Sequence, residues 1–116
     1  MELQRKEIRL PLGACVGPDQ RPLYGYSDPI PADCAGGLAL HKALKGSRWK
    51  WMVTHEASGL SLDIIGAMTK ARALDHMQQA LALPFDWTGG AAQTIQALKE
   101  SRGIVDAMRR IGTHDN

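Results

Sequence analysis

The sequence predicts an α+β domain in which a small antiparallel sheet, built from two hairpins at about 8–26 and 48–65, carries helices at about 34–45, 69–83 and 89–111 on one face. Two stretches alternate apolar with polar residues, the period of a strand with one buried face, and each meets turn residues before a second alternating run. From Thr69 the apolar spacing lengthens to about 3.6 residues, the period of a helix with one buried side. The 116 residues supply one core, so 1–116 reads as a single domain with 113–116 as a frayed tail.

Ile8, Leu10 and Leu12 alternate with Arg9 and Pro11 in the first strand, and Pro11 assigns it to a sheet edge or to its own end, because proline donates no ladder hydrogen bond. Gly17-Pro18-Asp19-Gln20 is turn chemistry, after which Pro22 to Tyr26 return as the partner strand with Tyr24 and Tyr26 on one face. The two prolines of Asp28-Pro29-Ile30-Pro31 remove two donors and mark a linker. Asp33 then caps a helix over 34–45 that is closed by Gly46. Its apolar stripe is Leu40 and Leu44, and Gly36 and Gly37 weaken its first turn by about 1 kcal/mol each.

Trp49, Trp51, Val53 and His55 share one face of the next strand, with Lys50, Met52 and Thr54 on the other. Glu56-Ala57-Ser58-Gly59 reads as a loop, and Leu60, Leu62 and Ile64 resume the alternation. Thr69 caps a helix that turns Ala73, Leu74, Met77, Ala80 and Leu81 to one side and stops before Pro84. Thr88-Gly89-Gly90 opens the last helical stretch. Its positions Ala91, Ile95, Leu98, Val105, Met108 and Gly112 follow helical steps, and Gly103 is where it bends or divides.

A net charge of +2, from 14 Lys and Arg against 12 Asp and Glu, assigns no partner by itself. Its distribution is more informative, because residues 41–55 hold Lys42, Lys45, Arg48 and Lys50 and no acid, a charge of +4 in 15 residues. This cluster beside an aromatic strand predicts a contact surface for an acidic partner, either a protein or a nucleic acid. The residues expected to carry it are Lys42, Lys45, Arg48, Lys50, Trp49, Trp51 and His55. The segment also has a plain structural explanation: Lys42 and Lys45 in the last turn of a helix favour its dipole, and Lys50 points to water as lysines do. Trp49 and Trp51 either stack single-stranded bases or fill the sheet–helix interface. With one Phe, two Tyr and three Trp in the chain, the core reading is the stronger.

Several chemistries lack a nucleus. The longest stretches without Asp, Glu, Lys or Arg, 76–85 and 87–98, fall short of the ~20 apolar residues of a membrane span. The N-terminus is too charged for a secretory signal, so a cytoplasmic location away from membranes is expected. A bridge between Cys15 and Cys34 fits by spacing, and a reducing compartment makes both free thiols. His41, His55 and His76 are dispersed and no close ligand pair occurs, so no metal or cofactor is expected. Gly36-Gly37 and Ser58-Gly59 match neither phosphate-loop pattern, and Glu56, Asp63, Asp75 and Asp86 form no close carboxylate pair.

The leading expectation is therefore a non-catalytic binding module. Its size suits a small prokaryotic or phage regulator or inhibitor that occupies a surface of nucleic-acid-processing or defence machinery. The alternative is a small enzyme or ligand-binding protein using Cys34, His41 and His55 in a pocket, although seven residues along a helix would leave Cys34 and His41 about 10 Å apart. A third expectation is a homodimer whose seam is the Ile95, Leu98, Val105 and Met108 stripe of the C-terminal helix.

Overall fold

In chain order the elements are β1 (Gln4–Ile8), β2 (Cys15–Val16), β3 (Arg21–Pro22), β4 (Ile30–Ala35), β5 (Leu38–Lys42), β6 (Trp51–His55), a 3₁₀ turn (Asp63–Ile65), α1 (Lys70–Leu81), α2 (Ala91–Glu100) and α3 (Arg102–His114). The structure, a computed structural model, describes residues 2–13, 15–16 and 21–114. The α+β expectation holds: β1, β4, β5 and β6 form a four-stranded antiparallel sheet in the order β1-β4-β5-β6, and β2 pairs separately with β3.

The helix expected over 34–45 is instead the hairpin of β4 and β5. Gly36 and Gly37 both take positive φ, 57° and 94°, the values of the two-residue turn that matches the twist of paired strands. A side chain at Gly37 would also strike the Trp87 carbonyl, 2.2 Å from an ideal Cβ. The run Leu38-Ala39-Leu40-His41 is buried on both faces of the sheet, so it carries no polar alternation that would separate a strand from a helix. Asp33, expected as a helix cap, sits in β4 opposite Arg5 and Leu40. The expected linker is shorter than read. β4 begins at Ile30, and Pro31 is tolerated because the β4–β5 ladder starts only at Ala32.

The first expected hairpin exists as an irregular ribbon beside the main sheet. Leu12 and Gly25 bond at 2.8 Å, Tyr24 and Leu12 at 2.9 Å, and Ser27 and Leu10 at 2.8 Å, continuing into the β2–β3 pair. The expected turn at 17–20 lies outside the described residues. The second hairpin pairs as expected, with an interruption. Segment 60–67 runs antiparallel to β6 through bridges at Thr54–Ser61 and Trp51–Ala67, and the 3₁₀ turn lies between them.

Register divides the sheet into two faces. Leu38, Leu40, Val53 and His55 point toward the helices, where they meet Ile65, Ala73, Met77, Ala80, Trp87, Met108 and Ile111 in the main core. The small Ala73 and Ala80 let α1 lie close to β5 and β6. Ala32, Cys34 and Ala39 form a smaller core on the opposite face with Ile8 against it.

Thr69 caps α1 as read, its hydroxyl accepting from the Arg72 amide at 3.3 Å. The C-terminal stretch divides at Ser101, two residues from the expected Gly103, and α3 continues through His114 into the segment read as a tail. Leu98 and Met108 pack into the chain's own core, while Ile95 and Val105 are half-buried. No helix among the described residues is long and apolar enough to cross a membrane.

Candidate binding surface

The basic segment occupies the end of the β5–β6 hairpin. The ladder continues one step past Lys42, with the Ala43 amide donating to the Lys50 carbonyl at 2.9 Å. Leu44 to Ser47 then turn the chain, closed by the Ser47 amide on the Leu44 carbonyl at 3.1 Å and eased by Gly46 at φ 95°. The Ser47 hydroxyl accepts from the Trp49 amide at 3.1 Å, which fixes the return into β6. Lys42, Lys45, Arg48 and Lys50 are all exposed on this hairpin. Arg48 pairs with Asp63 at 3.1 Å and lies 4.8 Å from the centre of the Trp49 ring; Lys42, Lys45 and Lys50 make no ion pair among the described residues.

Trp49 and Trp51 are half-buried, and neither offers a free ring face of the kind a stacked base requires. Arg48 lies over one side of Trp49, and Gly66 approaches the ring so closely that a Cβ there would fall 2.3 Å from it. The indole N–H of Trp49 donates to the Asp63 carbonyl at 2.8 Å. Trp51 packs against the main core with the Lys70 ammonium 5.6 Å from its ring centre. The fully buried indole is Trp87, whose N–H donates to the Ala80 carbonyl at 3.1 Å and whose ring centre lies 4.5 Å from that of Phe85.

Packing adds a residue that spacing does not reveal. Gly112 of α3 lies so close to the 3₁₀ turn that a Cβ would sit 1.7 Å from the Ile64 carbonyl oxygen, and this approach brings the end of α3 beside the turn. Arg48, Trp49, Ile64, Arg109, Gly112 and Thr113 line a cleft of about 250 Å³ between hairpin and helix. The glycine at a core-facing helical position was the available signal, since such a glycine marks close backbone approach.

His55 lies inside the molecule, fully buried, and takes no place on the exposed surface. The Trp87 carbonyl can only accept, so Nε2 of His55 donates to it at 2.9 Å and Nδ1 accepts from the Ser58 hydroxyl at 2.7 Å. His41 is fixed by the same logic: Nδ1 donates to the Lys42 carbonyl at 2.8 Å and Nε2 accepts from the Thr54 hydroxyl at 2.7 Å. Burial holds the His41 pKa below its usual value.

Cys34, His41 and His55 do not converge. His55 faces the helices, whereas Cys34 and His41 face the other side of the sheet on diagonal positions, since Cys34 is opposite Ala39 and His41 opposite Ala32. Cys34 is a buried free thiol whose pKa burial raises, so it stays protonated at neutral pH. It borders a cleft of about 300 Å³ across which Lys6 and Glu56 pair at 2.9 Å. Among the described residues no three His, Cys, Asp or Glu side chains gather in a way that could hold a metal ion. Comparison with protein-family models, with curated proteins and with solved structures finds no match to this chain.

Proposed function

We propose that this protein is a binding module that docks the basic end of its β5–β6 hairpin on an acidic macromolecule. The observation that supports this reading is the set of exposed cations Lys42, Lys45 and Lys50 with no carboxylate against them among the described residues, beside Arg48. The helix-dipole explanation of Lys42 and Lys45 has gone, because residues 34–45 are not a helix. Like charges gathered without counter-charges repel one another, and the fold gains nothing from them; an acidic surface supplies the missing partner. A chain of this size acting by surface occupation fits a small prokaryotic or phage regulator or inhibitor of nucleic-acid-processing or defence machinery. A reducing cytoplasm suits its free thiol.

Titration of duplex DNA and of polyglutamate, each over a range of salt, tests the proposal. At least one should bind with a steep salt dependence, and Lys45→Glu combined with Arg48→Glu should abolish it. Binding by the double variant equal to that of the parent chain would overturn the reading.

A further inference from the structure

Resting on that docking surface, we infer that the cleft between Arg48 and Arg109 receives a phosphodiester of a nucleic-acid backbone. The cleft is small, about 250 Å³, and two arginines, Arg48 and Arg109, are among the residues that line it. Arg48 is held ready: Asp63 takes one edge at 3.1 Å and the Trp49 ring supports its plane at 4.8 Å, while its remaining donors stay available. Arg109 makes no ion pair among the described residues, and the tight contact of Gly112 with Ile64 fixes the helix that carries it.

Two features favour a phosphate over a carboxylate and a backbone over a base. A cleft lined by two arginines suits an anion with oxygens on several sides, whereas a planar carboxylate satisfies one guanidinium, as Asp63 already does for Arg48. Both indoles are occupied by protein groups, so bases have no stacking platform and the nucleic acid is held by its phosphates, without sequence preference.

The test is fluorescence anisotropy with two duplex DNAs of unrelated sequence, across salt, for the parent chain, Arg48→Gln, Arg109→Gln and Lys45→Gln, with unchanged denaturation midpoints as the check on folding. Each arginine substitution should weaken binding to both duplexes equally and reduce the log–log salt slope by about 1. Inorganic phosphate should compete with DNA on the parent chain and compete less well on Arg109→Gln. If Lys45→Gln weakens binding while Arg109→Gln leaves affinity and slope at parental values, the cleft is overturned and the docking surface stands. If polyglutamate binds and neither duplex does, the phosphate assignment fails and the docking surface again stands. If none of these polyanions binds, both fail.

Discussion

Two connections leave the strand β5, and they are built in opposite ways. Toward β4 the link is the two-residue turn Gly36-Gly37, pressed against the Trp87 carbonyl and followed by residues buried on both faces. Toward β6 it is the longer excursion 43–50, exposed and basic, with open space around Gly46. One strand thus joins a connection that the core constrains tightly to one that the core scarcely touches. The contrast teaches that glycine, positive φ and hairpin geometry recur in both places for different reasons: close packing in one, chain reversal alone in the other.

Alanine substitution at the two glycines tests this contrast most directly. Gly37→Ala should cost about 3 kcal/mol or more in chemical denaturation, combining a left-handed backbone strain with a Cβ that overlaps the Trp87 carbonyl. Gly46→Ala, at nearly the same φ but in open space, should cost only about 1 kcal/mol. Equal costs at the two positions would break the comparison.

A smaller effect is expected at the polar pair behind β5. Thr54→Val removes the hydroxyl that His41 Nε2 accepts from and leaves a buried ring nitrogen unsatisfied, so stability should fall by about 1–2 kcal/mol. A variant as stable as the parent would show that water reaches this face. Below that in size is the acid dependence set by Asp33, whose carboxylate bonds Arg5 at 2.9 Å and Lys70 at 3.1 Å and joins the sheet to α1. The Arg5 hydrogen bond, with Lys70 assisting, holds its pKa below the usual 3.8. A depressed folded pKa gives stability that is fully present above the ordinary carboxylate range and is lost as pH falls below about 4. Asp33→Asn should therefore flatten the fall in stability between about pH 4 and 2, and an unaltered acid limb would remove Asp33 from that role. The smallest change belongs to the exposed connection. Lys45→Glu should alter stability by no more than about 0.5 kcal/mol while weakening association with a polyanion, and a large loss of stability would mean that the excursion is structural after all.

The same contrast explains what could be read from the sequence. The 70–81 helix was legible because it has one buried side, which prints its period on the chain, and residues 51–55, although buried on both faces, were legible because strand-favouring residues alternate there with Lys50 and Thr54. Leu38 to His41 were not, since that strand is buried on both faces and its Leu-Ala-Leu run carries neither a polar alternation nor β-branched residues. The local indicator was Gly36-Gly37, a two-residue turn that outweighs the faint helical spacing of Leu40 and Leu44. At the candidate site, the four bases and both tryptophans were visible as a cluster, yet two facts about them depended on tertiary contacts. Ring faces taken by Arg48, Gly66 and Lys70 come from segments distant in sequence or from side-chain placement. Arg109 enters only because α3 crosses the 3₁₀ turn at Gly112. His55 obeyed the strand alternation and for that very reason faced inward with Val53.

The edge of the sheet has a consequence for how copies of the chain meet. β6 is flanked by segment 60–67, so β1 is the strand whose outer backbone lies open among the described residues. That strand reads Gln-Arg-Lys-Glu-Ile and is followed by Arg9, and its first four residues are exposed. A second sheet approaching it to pair would strip water from these exposed charged side chains, which disfavours growth of strand upon strand. Crowded copies are thereby discouraged from joining into a continuous ladder, and resistance to aggregation resides in a handful of side chains at one border.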